Sequence, residues 1–146
     1  MNISTPAFAQ GKPIPAQYSY KGRNISPEVR IANVSANARS LVLIVDDPDA
    51  PVGLWTHWLV WNLPVATTSI PEGKLPPGAV QGKNSSGHVH YDGPAPPSGT
   101  HRYFFHLYAL DTALSLPAGS GRAALEQAMS GHIVGEAETY GVYAAQ

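Results

Sequence analysis

The stretch that decides the fold is "SLVLIVDDPDAP", Ser40 to Pro51, in which an apolar run ends in three aspartates interleaved with prolines. A short run that is apolar at every position is typical of a strand buried on both faces. Aspartate and proline are common turn residues, so the acidic segment marks the end of that strand. A second interpretation is that one of the carboxylates lies at the mouth of a pocket.

Two further runs have the same β-branched and aromatic character as residues 40–46. They are "THWLVWNL" at 56–63 and "THRYFFHLYA" at 100–109, and both favour central strands. The segment "GRNISPEVRIANV" indicates a turn followed by another strand, and the tail "HIVGEAETYGVY" is apolar enough to form a final strand. The proline-rich segment "SIPEGKLPPGAVQGKNSSG" is typical of a long, ordered loop.

Helix is expected in only two places. One helix is predicted to begin at a capping residue, Ser120, to continue to Met129 and to stop at Gly131, and "ALDTAL" is expected to form a short helical turn. No internal repeat or linker interrupts the chain. Residues 1–146 are therefore predicted to form a single, mainly β domain with one or two peripheral helices.

Composition excludes several classes of function. Only 13% of the residues are charged, the formal net charge is −1 and the nine lysines and arginines are scattered, so nothing indicates nucleic-acid binding. The chain has no cysteine, which excludes disulfides and thiolate chemistry. No apolar run approaches the roughly 18–20 residues of a membrane span. The N-terminus lacks a basic region and an apolar core of a signal peptide, so we expect an unprocessed, cytoplasmic protein.

Alternation along the strands predicts which polar side chains can meet. In the third run His101 and Tyr103 share one face, and His106 lies on the other. Asp47 has the same parity as the odd-numbered apolar residues of the first run. Asp47, His57 and His101 thus lie at the ends of three strands, which a twisted sheet could bring together.

The second strand has its own predicted alternation. His57 begins this strand, on the face that is expected to carry Leu59 and Trp61 as well.

Several motifs occur in succession along the chain: "DPDAP", then "THW" before an apolar strand, then "YDGPAPPSGTHRY", then "LYALD". Together they resemble the phosphatidylethanolamine-binding protein (PEBP) family, most closely its bacterial and archaeal, Raf-kinase-inhibitor-like branch. The resemblance extends over nearly the whole chain, from "GKPIPAQYSYKGRNISPE" to "AMSGHIVGEAETYGVY".

This resemblance implies a large antiparallel sheet packed on a smaller one, with peripheral helices and a small anion pocket at one end of the large sheet. Carried over residue by residue, the family's pocket positions correspond to six residues of this chain: Asp47, Trp55, His57, Gly93, His101 and Tyr103. Trp55 is expected either at the pocket entrance, as a lid, or in the core. The resemblance implies no catalytic residue, metal ion or cofactor.

A carboxylate in an anion pocket requires an extra proton, because like charges repel. Hydrogenphosphate satisfies this requirement, since its P–OH can donate to Asp47 while its other oxygens accept from His57, His101 or Tyr103. We therefore expect a binding protein for a small phosphorylated or otherwise anionic ligand.

Two other functions stay open. One is inhibition of a protease or kinase through the rigid surface loops. The other is acid–base catalysis by Asp47 with His57 or His101, although no GxSxG motif supports covalent catalysis. The sequence favours a binding protein over an enzyme, and a homodimer is expected.

The remaining polar residues have simpler expected roles. Asp46 and Asp49 are predicted to be turn formers, and His106 and His132 to be structural. His88 and His90 could face the same side of an extended segment, as metal ligands do, but no cysteine or obvious third ligand supports a metal site.

We also expect at least one cis X–Pro bond near the pocket, at the segment that contains Pro51.

Overall fold

Eight strands and two short helices make up the computed structural model, which describes residues 1–146. The strands are β1 (Asn2–Ser4), β2 (Val29–Ala32), β3 (Ser40–Asp47), β4 (Trp55–Leu63), β5 (Ser69–Ile70), β6 (Val80–Gln81), β7 (Thr100–Leu110) and β8 (Ile133–Ala144). A 3-10 helix spans Ala16–Tyr18, and the α-helix α1 spans Arg122–Met129. No helix has the length and apolar character needed to cross a membrane.

The strands form two antiparallel sheets. The larger has five strands in the order β6-β4-β3-β7-β8, and the smaller has three in the order β1-β2-β5. This confirms the prediction of a mainly β fold with a large and a small sheet. The central position of β3 explains its apolar sequence, because a strand with neighbours on both sides and layers on both faces has no exposed side chain.

The two faces of β3 belong to different apolar clusters. Leu41, Leu43 and Val45 pack in the cluster that includes side chains of the small sheet. Val42 and Ile44 point the other way and pack with Leu125 and Met129 of α1 and with side chains of β4. The large sheet is therefore covered on one face by the small sheet and on the other by α1.

A β-bulge interrupts the pairing of β3 with β4. Val45 pairs with Trp58, but the next residue, Asp46, pairs with Thr56, so that His57 is an extra residue without a partner. Such bulges bend a strand and re-aim a side chain.

The bulge overturns one prediction about β4. Leu59 and Trp61 pack in the cluster beneath α1, as alternation requires, whereas the ring of His57 lies in edge contact with that of Tyr103, 5.3 Å between centroids, on the opposite face. The expectation that His57 shares a face with Leu59 and Trp61 was wrong, because the extra residue reverses the alternation at this point.

The helical predictions hold only in part. The helix ends at Met129 but begins after Gly121, and Ser120 is not its cap, because the Ser120 hydroxyl donates to the carbonyl of Pro117 at 2.7 Å. The segment "ALDTAL" forms no helix, since β7 continues to Leu110 and a bend follows.

All X–Pro peptide bonds are trans, so the prediction of a cis bond near Pro51 was wrong. Two hydrogen bonds close the turn after β3 instead. The N–H of Asp49 donates to Oδ1 of Asp47 at 2.7 Å, and the N–H of Gly53 donates to the carbonyl of Ala50 at 2.9 Å. Gly53 adopts a positive φ of 103°, a conformation that glycine reaches at no steric cost.

Candidate functional site

A cavity of about 530 Å³ opens where β3 ends and β4 and β7 begin. The structure brings all six expected pocket residues to its walls: Asp47, Trp55, His57, Gly93, His101 and Tyr103. The apolar parts of the lining include Val52 and Pro51 of the β3–β4 turn and Pro97 of the loop before β7. The cavity thus combines a polar floor of strand ends with walls made by two proline-containing loops.

Asp47 and His101 form a buried pair at this cavity. Nδ1 of His101 lies 2.7 Å from Oδ2 of Asp47, and the two residues are only 7% and 3% exposed. The other carboxylate oxygen accepts the N–H of Asp49 in the turn. Asp47 is therefore both a turn residue and the partner of His101, and Nε2 is the atom that His101 can offer to a ligand.

Tyr103 lies between the two histidines and is 1% exposed. Its ring centroid is 5.3 Å from that of His57 and 6.4 Å from that of His101. Its hydroxyl is buried and makes no hydrogen bond of good geometry in the protein, although the Asp47 carboxylate and the backbone of Ala95 lie near it. A buried hydroxyl without a partner is rare and unfavourable. Burial, together with the nearby Asp47 carboxylate, raises the pKa of Tyr103, so the phenol keeps its proton.

His57 has a defined tautomer. Its Nδ1 lies 2.8 Å from the backbone carbonyl of Asp92, which can only accept, so Nδ1 carries the proton. Burial lowers the pKa of His57, which favours the neutral ring. The remaining nitrogen, Nε2, is then a hydrogen-bond acceptor.

Trp55 and Gly93 complete the expected set, in different roles. Trp55 is the first residue of β4, pairs with Asp47 and is half-buried at the cavity wall, so it belongs to the rim rather than to the core. The N–H of Gly93 donates to Oδ1 of Asn24 at 2.6 Å and is therefore already engaged. A Cβ on Gly93 would lie 1.9 Å from the carbonyl oxygen of Tyr18, so only glycine permits this approach.

Asp92 is a buried residue of the site that the sequence interpretation missed. Its carboxylate accepts from Asn24 at 3.0 Å, from Asn84 at 2.8 Å and from Nδ1 of His88 at 2.7 Å. Burial opposes ionisation of Asp92, but these hydrogen bonds outweigh it and lower its pKa. Asp92 follows His88 and His90 in the same alternation, and that pattern could have identified it.

A group that could hold a metal ion consists of His88, His90 and Asp92, whose ligand atoms all lie within 4.8 Å of one another. The expectation that no third ligand accompanies the two histidines was therefore wrong. The reason is that the irregular segment after β6 places the buried carboxylate beside both rings.

The opposite face of the large sheet carries a second ionic cluster. Asp46 is buried there, not in a turn as predicted, because its parity in β3 directs it toward α1. Its carboxylate lies 2.9 Å from Nη1 of Arg122 and 3.0 Å from Nε2 of His106. Burial alone would raise the pKa of Asp46 and lower that of His106. The hydrogen bonds and ion pairs outweigh burial, so the pKa of Asp46 is lowered and that of His106 is raised.

Two surface aspartates pair with basic side chains. Asp49, also predicted to be a turn former, accepts from both Nε and Nη2 of Arg102 at 2.9 Å, and these hydrogen bonds lower its pKa to about 2. On the far side of the molecule, Nδ1 of His132 lies 2.8 Å from Asp111 in an exposed pair.

Comparison with known proteins places this geometry in a family. The model of the family described as phosphatidylethanolamine-binding protein matches residues 4–144. The chain belongs to the phosphatidylethanolamine-binding protein family. A UPF0098 protein of Methanothermobacter thermautotrophicus is 49% identical to this PEBP-family chain over 148 residues, covering 98% of each. A UPF0098 protein of Chlamydia trachomatis is 45% identical with the same coverage.

Solved structures agree with this assignment. The crystal structure of a putative PEBP homologue from Chlamydia trachomatis superimposes with a TM-score of 0.95 at 43% identity, covering 99% of this chain and 97% of that one. The crystal structure of YbcL from Escherichia coli, described as a new member of the mammalian PEBP family, gives a TM-score of 0.93 at 29% identity, with 99% and 98% covered.

Proposed function

We propose that this PEBP-family protein binds a small phosphorylated ligand, and that it holds the protonated, monoanionic phosphoryl group at the polar floor of the cavity. Family membership supports a binding function in general. The observation that carries the proposal is the Tyr103 hydroxyl, a buried donor without a partner on a cavity wall. A phosphoryl oxygen that accepts from this hydroxyl would satisfy it.

The polar groups around Tyr103 explain why a protonated ligand is favoured. Nε2 of the neutral His57 is an acceptor that a P–OH can fill. Both oxygens of Asp47 already accept hydrogen bonds, from His101 and from Asp49. A fully ionised phosphoryl group would face the charge of Asp47 with no proton to give to His57, which disfavours the dianion. The donor to the phosphoryl group thus comes from Tyr103 and the acceptor from His57.

The cavity also has room for more than the phosphoryl group. Its volume of about 530 Å³ is within the range of sites that hold an organic small molecule. The side chains of Val52, Pro51 and Pro97 give part of the wall an apolar surface. The organic portion of a phosphomonoester can therefore lie against the two loops while its phosphoryl group reaches the strand ends.

Calorimetric titrations with inorganic phosphate and with sulfate test this proposal. The two ions have similar shape, but only phosphate carries a P–OH at neutral pH, so phosphate is expected to bind at least about tenfold more tightly. His57→Ala removes the acceptor proposed for the P–OH and should weaken phosphate binding by roughly 1–3 kcal/mol. The control His106→Ala, on the opposite face, should leave the affinity unchanged. Equal affinities for the two ions, or equal losses from the two substitutions, would contradict the proposal.

A further inference from the structure

We propose that His88, His90 and Asp92 form a binding site for a divalent transition-metal ion of the zinc type. The proposal is independent of phosphoryl binding and rests on the convergence of two imidazoles and one carboxylate at the loop between β6 and β7. The ligand atoms of all three residues lie within 4.8 Å of one another.

The spacing of the ligand atoms fits a tetrahedral ion. Nδ1 of His88 lies 2.7 Å from Oδ2 of Asp92, and Nδ1 of His90 lies 3.6 Å from Oδ1. Zinc bonds of about 2.0–2.1 Å at the tetrahedral angle separate two ligand atoms by about 3.3 Å, a value between these two distances. The two imidazole rings stack at 4.9 Å with an interplanar angle of 23°. The stacked rings thus place both Nδ1 atoms beside the Asp92 carboxylate.

Both imidazoles can present a lone pair at Nδ1. In the structure this nitrogen of His88 contacts Asp92, and that of His90 lies 2.9 Å from the carbonyl of Tyr91. A neutral imidazole can move its proton from Nδ1 to Nε2 without a change in charge. Coordination then replaces one hydrogen bond of each ring.

Two asparagines hold the site in place. Asn24 and Asn84 donate to the Asp92 carboxylate, which is 3% exposed and cannot turn away. Asn84 also donates to the carbonyl of His90 at 3.1 Å and accepts the N–H of His88 at 3.0 Å, so it fixes the backbone of both histidines. Supporting contacts of this kind orient metal ligands and raise affinity.

The donor set and its exposure indicate the class of ion. Two imidazoles with one carboxylate suit Zn²⁺, Co²⁺, Ni²⁺ or Cu²⁺, whereas Mg²⁺ and Ca²⁺ prefer oxygen ligands. The side chains of His88 and His90 are 42% and 56% exposed, which gives an ion direct access from solvent and leaves its remaining coordination position to water.

Cobalt titration of the chelator-treated protein, in phosphate-free buffer at pH 7.5, tests this site. We expect one Co²⁺ per chain, visible absorption bands of a four-coordinate ion, and displacement by Zn²⁺. His90→Ala and His88→Ala should each weaken Co²⁺ binding at least about tenfold. Circular dichroism checks the fold of each variant. His90 is well suited to substitution because its ring hydrogen bond is to the neighbouring residue.

The matched control is His132→Ala, which removes an exposed histidine that also pairs with an aspartate, Asp111, at 2.8 Å. This variant should bind Co²⁺ like the unmodified protein. No visible absorption at millimolar Co²⁺, or binding that survives both His88→Ala and His90→Ala, would overturn the proposal. Phosphate titrations of the metal-free protein test the anion site separately, so failure of one proposal does not imply failure of the other.

Discussion

At the scale of the residue, the surroundings of each ionisable group decide its role. Asp46 and Asp47 are adjacent in sequence and both buried, yet one binds Arg122 on the helix side and the other binds His101 at the cavity. Tyr103 and Tyr91 are likewise both buried phenols. The hydroxyl of Tyr91 donates to the carbonyl of Tyr18 at 2.8 Å, whereas that of Tyr103 has no partner. Only the Tyr103 hydroxyl therefore has an unused hydrogen bond.

This difference predicts opposite effects from two matched substitutions. Tyr103→Phe should leave the free energy of unfolding unchanged or raise it, because it removes an unsatisfied buried hydroxyl, but it should weaken phosphate binding by about 1 kcal/mol. Tyr91→Phe should lower stability by about 1 kcal/mol and leave phosphate affinity unchanged. Urea unfolding and calorimetry on both variants provide the measurements. A Tyr103→Phe protein that binds phosphate normally would remove this hydroxyl from the site.

At the scale of the element, the strands were predictable and their irregularities were not. Residues 40–46, 56–63 and 100–109 were identified to within one residue at each end, because buried strands have a local apolar pattern. The bulge at His57 depends on how β3 and β4 pair, and no local pattern encodes it. The start of α1 was also misplaced, since Ser120 has a competing hydrogen bond to Pro117.

The contact between α1 and the sheet has a predictable pH dependence. His106 faces Asp46, Glu138 and Arg122, and its pKa is raised in the folded protein. The stability that it contributes is therefore fully present below its unfolded pKa near 6.5 and is lost as pH rises through the raised folded value.

The substitution His106→Gln measures this contribution. The variant should be less stable than the unmodified protein by roughly 1–3 kcal/mol at pH 6. The difference should shrink as the pH is raised to 9, because a histidine with a raised folded-state pKa loses its contribution as pH rises. Urea unfolding at the two pH values checks it. Titrating groups that do not contact His106, including His57, are common to both proteins and cancel in the comparison. A difference that stays constant or grows with pH would contradict the assigned role.

At the scale of the whole molecule, alternation in β3 separates two kinds of chemistry across the large sheet. The odd-numbered side chains of β3 pack in the cluster shared with the small sheet, and their series ends at Asp47 beside the cavity. The even-numbered side chains pack in the cluster beneath α1, and their series ends at Asp46. Alternation also predicted that His101 and Tyr103 face away from His106, and the structure places them so. Alternation after His88 and His90 could have identified Asp92 as a third polar residue on their side. Its burial depends on hydrogen bonds from Asn24 and Asn84, which no local pattern encodes.

The pH dependence of phosphomonoester binding tests the central claim most directly. The cavity is lined by Asp47, Asp92, His57, His101 and Tyr103, and the proposal requires a proton on the ligand. Because the second pKa of a phosphomonoester is about 6, the monoanion falls from about half of the ligand at pH 6 to about 1% at pH 8. Calorimetric titration with phenyl phosphate should therefore show binding that is at least about tenfold tighter at pH 6 than at pH 8. Equal affinity at the two pH values, or tighter binding at pH 8, would contradict the account.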